Sequence, residues 1–309
     1  MLAVHADWSV DARKRWHAAA IRDGAVWRLR APEPVGEVTT WIGRLRALGA
    51  GPVALGVDLP LGLPRLYVRA HVDDVDFPAF LRGLRERPGF FDVCDTLEDI
   101  APGRPFYPQR GVKGMRRAAH AAALGLDGAE GLSRRCDRAT ATRPAGAPLF
   151  WTLGANQTGK AAIAAWRDWL LPELAAGADI ALWPFAGDFR DLLGRHAVVV
   201  AETYPAEAMR HLGLRMGGSK RRQRDRGALA DALGAVMMRL AVAPDAALGA
   251  MMAEGFGADA AGEDRFDAVI GVLGVINVIA GHRPDGVPDD PWLRRWEGWV
   301  LGQTDLPRA

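Results

Sequence analysis

Four aspartates mark the places where this chain could do chemistry: Asp7, Asp58, Asp264 and Asp267. Asp7 ends an apolar run, Ala3-Val4-His5-Ala6, and Asp58 ends a second one at residues 52–57. Carboxylates at the ends of neighbouring strands can hold a hard divalent cation, which takes oxygen ligands. Asp264 and Asp267 open a hydrophobic helix and, three residues apart, share one of its faces. After Asp267 come Val269, Ile270, Val272, Leu273, Val275, Ile276, Val278 and Ile279. A helix apolar nearly all round lies inside the protein, and an acid on it needs a partner or a metal. Each acid also has a plainer role open to it. Asp264 can cap its helix and Asp267 can sit in the favourable first turn. Asp7 can start a turn at Ser9, and Asp58 can form an Asx-turn into Leu59-Pro60. The joint placement of the four carries the reading, not any one of them.

Other residues stand beside this set. Glu202 ends an apolar stretch at 197–201, as a ligand, a base or the partner of an arginine. Lys220, Arg221, Arg222 and Arg224 form a basic loop within 218–227, either a phosphate-placing patch or a solvated turn. Gly154-Ala155-Asn156-Gln157-Thr158-Gly159-Lys160 fits a phosphate loop, but Ala161 stands where Ser or Thr would hold Mg²⁺. Lys160 is therefore expected in a glycine turn, or at a helix N-terminus touching phosphate, rather than in an NTPase. The seven histidines are scattered and no G-x-S-x-G occurs. His5 shares a strand face with Asp7.

The elements that must position these groups read as α/β. Residues 1–30 form a three-stranded antiparallel meander, with Arg22-Asp23-Gly24 as a turn. Val35, Val38, Trp41, Ile42, Leu45 and Leu48 keep helical spacing. Residues 52–57 then read as a buried, parallel strand. Residues 65–150 look like an insertion, with short helices near 78–87 and 115–124 and an ordered loop at 107–113. A strand at 148–153, a helix at 160–174 and strands at 180–183 and 197–201 follow. Helices are expected at 228–242, 244–254 and 264–280, and Trp292, Trp296 and Trp299 dock a terminal piece of a helical region spanning 228–301. The whole of 1–309 is read as one domain. The 309 residues are 49% hydrophobic and 25% charged, as in a soluble globular protein. A net charge of +2 leaves any nucleic-acid surface to a local patch. Two cysteines, no signal-like start and no long uncharged apolar run point to the cytoplasm and away from a membrane.

In their order, the motifs Val57-Asp58-Leu59-Pro60-Leu61-Gly62-Leu63-Pro64, Glu202-Thr203-Tyr204-Pro205 and Asp264-Arg265-Phe266-Asp267-Ala268 resemble a bacterial family of predicted RNase H-like nucleases, itself classed as a domain of unknown function. The late acid pair is also similar to that of RuvC-type resolvases. The resemblance implies an RNase H-like mixed sheet, its first three strands antiparallel and the next parallel, flanked by helices. It implies a nuclease that hydrolyses phosphodiester bonds of DNA or RNA with two Mg²⁺ or Mn²⁺ ions. Asp7, Asp58 and Asp267 then take the ligand positions, Asp264 is a fourth candidate, and Glu202 belongs to a motif without an assigned role. Two rival readings remain: an RNase H-like domain that only binds, and a phosphate-binding protein built on Gly154–Lys160.

Overall fold

Leu2–Asp7 forms the first strand, β1, and its first five residues are all buried. A run with no polar alternation suits a strand covered on both faces, and β1 lies in the middle of the sheet. The computed structural model describes residues 1–309 apart from 110, 112, 113, 154–157, 308 and 309. The other strands are β2 (Trp16–Asp23), β3 (Val26–Leu29), β4 (Glu33–Pro34), β5 (Val53–Val57), β6 (Ile180–Leu182), β7 (Val198–Glu202) and β8 (Val242–Pro244). They join in the order β6-β7-β5-β1-β2-β3-β8, with β4 on the far end of β2. β1, β2 and β3 pair antiparallel, while β5 runs parallel to β1 and β7 parallel to β5. The protein is thus an α/β fold with a mixed sheet, antiparallel and then parallel, flanked by helices.

Register and side-chain parity decide what meets at the sheet edge. Ala6 pairs with Val57, so Asp7 and Asp58 leave adjacent strands at the same level. Successive side chains alternate between faces. Leu2, Val4 and Ala6 join one buried cluster, together with Val57. Ala3 and Ala54 join the other, which includes the helix Gly262–Ile279. By parity Asp7 and Asp58 therefore face that helix. It packs across β1, β2 and β5, and thirteen of its residues are buried. Its approach depends on Gly271, where a Cβ would come within 2.1 Å of the His5 ring.

The structure departs from expectation in four places. β8 falls where the spacing predicts the end of one helix, at 242, and the start of the next, at 244. Ala241, with φ 53°, breaks the first helix, and Val242 then pairs with Trp27 of β3. Residues 148–153 form no strand, because the Trp151 N–H turns back onto the Pro148 carbonyl and leaves only a bridge to Tyr107. The helix expected at 160–174 is Thr158–Ala165, a π turn over Trp166–Leu170, then Leu171–Ala175. The basic loop is half helical, at Gln223–Gly227. Within 65–150, three helices, Arg65–His71, Phe77–Gly83 and Arg117–Ala123, accompany an edge-to-face group of Phe80, Phe90, Phe106 and Phe150. Of the expected loop at 107–113, Arg110, Val112 and Lys113 lie outside the described residues. Trp296 and Trp299 are buried as the tail docks. Among the described residues no helix is long and apolar enough to cross a membrane.

Candidate metal centre

The cavity at the carboxyl ends of β1 and β5 is lined by Asp7, Asp58, Ser219, Lys220, Arg221, Glu263, Asp264 and Asp267, with a volume of about 390 Å³. In open α/β sheets this edge is where ligands bind. Each acid arrives by a separate device. β1 ends on Asp7, and the Asp58 N–H donates to the Ala6 carbonyl at 3.0 Å, which fixes the start of its loop. Glu263, Asp264 and Asp267 come from the first two turns of the late helix, and the i, i+4 spacing puts Glu263 over Asp267. Glu263 and Ser219 were not singled out from the sequence. Helical spacing from Asp267 would have found Glu263; nothing local points to Ser219.

Crowding shapes the protonation of the group. Burial, then Asp267, Asp58 and Asp264, push the Asp7 carboxyl well above the usual range. Burial and then Asp267 push Asp58 up to about 7. Burial raises Asp267 to about 6 against the pull of Lys220, and burial also raises Asp264. Burial works against the Lys220 ammonium, but Asp267, Glu263 and Asp58 outweigh it and hold it charged. Its Nζ donates to Asp267 Oδ2 and lies 3.3 Å from Glu263 Oε1. Asp267 is only 4% exposed, and its Oδ1 is buried with no hydrogen-bond partner among the described residues. An unpartnered carboxylate oxygen aimed into a cavity of further carboxylates is a donor set for a hard divalent cation. The residues present therefore fit such an ion: Asp7, Asp58 and Asp267 would hold it, with Asp264 beside them.

The remaining candidates lie elsewhere. Arg222 and Arg224 are exposed and turn to Asp225, at 4.0 and 3.4 Å. Lys160 is half-buried on the helix Thr158–Ala165 and does not line the cavity. Gly154–Gln157 of the phosphate-loop motif lie outside the described residues. Of the three roles open to Glu202, ligand, base or partner of an arginine, the structure shows the last, and the residue does not line the cavity. It pairs with Val57 rather than Asp58, so parity sends its side chain to the opposite face. There it is fully buried and meets Arg134, whose Nη1 and Nη2 donate to its two oxygens at 2.6 Å each. Tyr204 Oη donates to the same carboxylate at 2.6 Å. Arg134 also grips Asp137, through Nε and Nη2 at 2.9 Å each. Cys136, Asp137 and Glu202 do bring ligand-type atoms within 4.8 Å of one another, but the Arg134 guanidinium already occupies both carboxylates.

Glu202 still bears on the centre. The Leu61 N–H donates to its Oε2 at 2.7 Å, Arg134 Nη1 donates to the Leu61 carbonyl at 2.8 Å, and Trp166 Nε1 donates to the Pro60 carbonyl at 3.0 Å. Gly62, at φ 121°, lets the chain pass the Glu297 carbonyl, where a Cβ would come to 2.2 Å. The loop behind Asp58 is thus bolted from the far face of the sheet. Comparison with curated proteins and with solved structures found no match. A family profile does match, over residues 7–292, and the chain belongs to that family, described as protein of unknown function (DUF429).

Proposed function

We propose that the chain is a divalent-metal-dependent nuclease of RNase H-like type, hydrolysing phosphodiester bonds of DNA or RNA. The observation that carries this reading is the buried, unpartnered Oδ1 of Asp267 in a cavity that Asp7, Asp58 and Asp264 also line. The strand order supports the RNase H-like comparison: three antiparallel strands, then β5 parallel to β1, with an acid at the end of each of the two parallel strands. When bound, Mg²⁺ or Mn²⁺ supplies Lewis-acid activation of the phosphate and of an attacking water. The protein's own groups do the rest. Asp7, Asp58 and Asp267 orient the ion, and their clustered negative charge draws it in. Arg221, at the rim, and Arg222 and Arg224 beyond it, place backbone phosphates by charge without reading sequence.

The test is Mn²⁺-dependent cleavage of end-labelled single- and double-stranded DNA, RNA and their hybrid. Asp58→Asn and Asp267→Asn should each lower cleavage by about 100-fold or more while leaving the fold intact. Cleavage that persists without divalent ions, or in Asp267→Asn, sinks the reading. Mn²⁺ binding with no cleavage of any of these substrates would leave an RNase H-like domain that binds and does not cut.

A further inference from the structure

We propose that the Lys220 ammonium is a built-in second cation of this centre, so that the site takes one divalent ion rather than two. This rests on the metal reading above and narrows it.

Position is the first argument. Asp267 already gives Oδ2 to Lys220 Nζ, while Oδ1 has no partner. An ion that takes Oδ1 leaves the ion pair whole. A second ion in need of Oδ2 would have to expel the ammonium, which Glu263 also holds at 3.3 Å.

Anchoring is the second. A surface lysine would swing aside, but Lys220 is fixed at its backbone. Its carbonyl accepts from Arg226 Nη1 at 2.5 Å, and the same guanidinium donates to the carbonyls of Gly255 and Gly257 at 2.9 and 2.6 Å. Arg226 is 2% exposed. On the other side the Ser219 N–H donates to Asp225 Oδ2 at 2.9 Å. The ammonium is therefore delivered at a set reach, with Arg226 as its positioning residue.

Charge is the third. Five carboxylates, those of Asp7, Asp58, Glu263, Asp264 and Asp267, line the cavity against Lys220 and Arg221. The ammonium therefore already meets part of the negative charge that a second ion would otherwise neutralise. With one ion in place, the ammonium keeps Asp267 and Glu263 on two of its N–H groups and can turn the third toward a non-bridging phosphate oxygen, the task a second ion would otherwise serve.

The experiment counts Mn²⁺ on the full chain by electron paramagnetic resonance of the free ion. The wild type should bind one Mn²⁺ with a mononuclear spectrum. Lys220→Met should bind two, with the exchange-coupled spectrum of ions about 3.5–4 Å apart. Two ions in the wild type overturn the proposal and leave the metal reading standing; that count needs no variant. A cooperatively melting Lys220→Met that still binds one ion overturns it as well. No bound Mn²⁺ in either protein overturns the metal reading itself, and this inference with it.

Discussion

Gly271→Ala tests whether the late helix is held at the depth the acids need. A methyl at this position would lie 2.1, 2.2 and 2.3 Å from Cγ, Nδ1 and Cδ2 of the His5 ring. Ordinary carbon contacts are about 3.5–4 Å, so the ring must retreat by more than an ångström or the helix must lift from the sheet. His5 has little room, being fully buried in the middle of β1. Asp7 lies two residues after His5 and shares its face; Asp267 lies one helical turn before Gly271 and shares its face. A lift at Gly271 is thus a separation of Asp267 from Asp7. Overpacking costs about 1–3 kcal/mol, against about 1 kcal/mol gained from Gly to Ala in a helix. The net is a destabilisation of about 0–2 kcal/mol, or a fall in Tm of up to a few degrees for a chain of this size. Urea unfolding measures the first, and the Mn²⁺-induced rise in Tm should shrink alongside. The decisive comparison is the double variant with His5→Ala. Burial holds the His5 pKa near 3, so the ring is neutral, and neither nitrogen has a partner among the described residues. Removing it gives up packing and no hydrogen bond. In the double variant the new methyl fills part of the space the ring leaves. The two substitutions should therefore be coupled by at least about 1 kcal/mol in the favourable direction. Additive effects, or a Gly271→Ala more stable than the wild type with its Mn²⁺ response intact, would refute the reasoning.

Without metal, stability should fall as pH rises from about 4 to 7. Asp58 is pushed up to about 7 and Asp267 to about 6, both mainly by burial, from an ordinary 3.8; the folded state then keeps protons the unfolded chain releases. That contribution is complete below 3.8 and lost through the folded values, so Tm in a chelator should drop over this window and saturating Mn²⁺ should reverse the slope. A chelated Tm that climbs from pH 5 to 7 would contradict it. Arg134→Met strands Glu202 and Asp137 as buried, uncompensated charges and should cost about 3–5 kcal/mol by urea midpoint, with part recovered on adding Glu202→Gln. ATP with Mg²⁺ should leave Tm unchanged in the wild type and in Lys160→Ala; a rise at millimolar ATP that the variant loses would restore the phosphate-loop reading.

The sheet was legible because its signals are local. Strand parity, a turn at Asp23-Gly24 and a run of buried apolar residues at 53–57 are each written in a few neighbouring positions, and the meander of β1, β2 and β3 within 1–30 and the parallel strand β5 followed. Where pairing is long-range, neighbouring positions carry no such signal. β8 is three residues long, continuous in hydrophobicity with the helix before it, and exists only because β3 has a free edge. At residues 148–153 the composition is equally strand-like, yet Leu149 and Phe150 are buried in an aromatic cluster and the Trp151 N–H is spent on a turn.

The acids divide along the same line. Asp264 and Asp267 could be paired from the sequence because helix spacing fixes their common face, and Glu263 follows by the same rule. Asp7 and Asp58 could be matched because each closes its strand. Glu202 also closes a strand and has the same chemistry, yet its carboxylate ends on the other side of the sheet. The difference is one residue of register: β7 is set so that Glu202 meets Val57 and Thr203 comes level with Asp58. Register between strands some 145 positions apart is not encoded near either of them. It is imposed by what covers each face, and on Glu202's face that cover is Arg134, supplied by the segment between β5 and β7. What the segment at 65–150 contributes to the centre is therefore mechanical. Through Arg134 and Glu202 it holds the loop after Asp58 from behind, so a substitution at Arg134 should loosen Asp58 on the face it never touches.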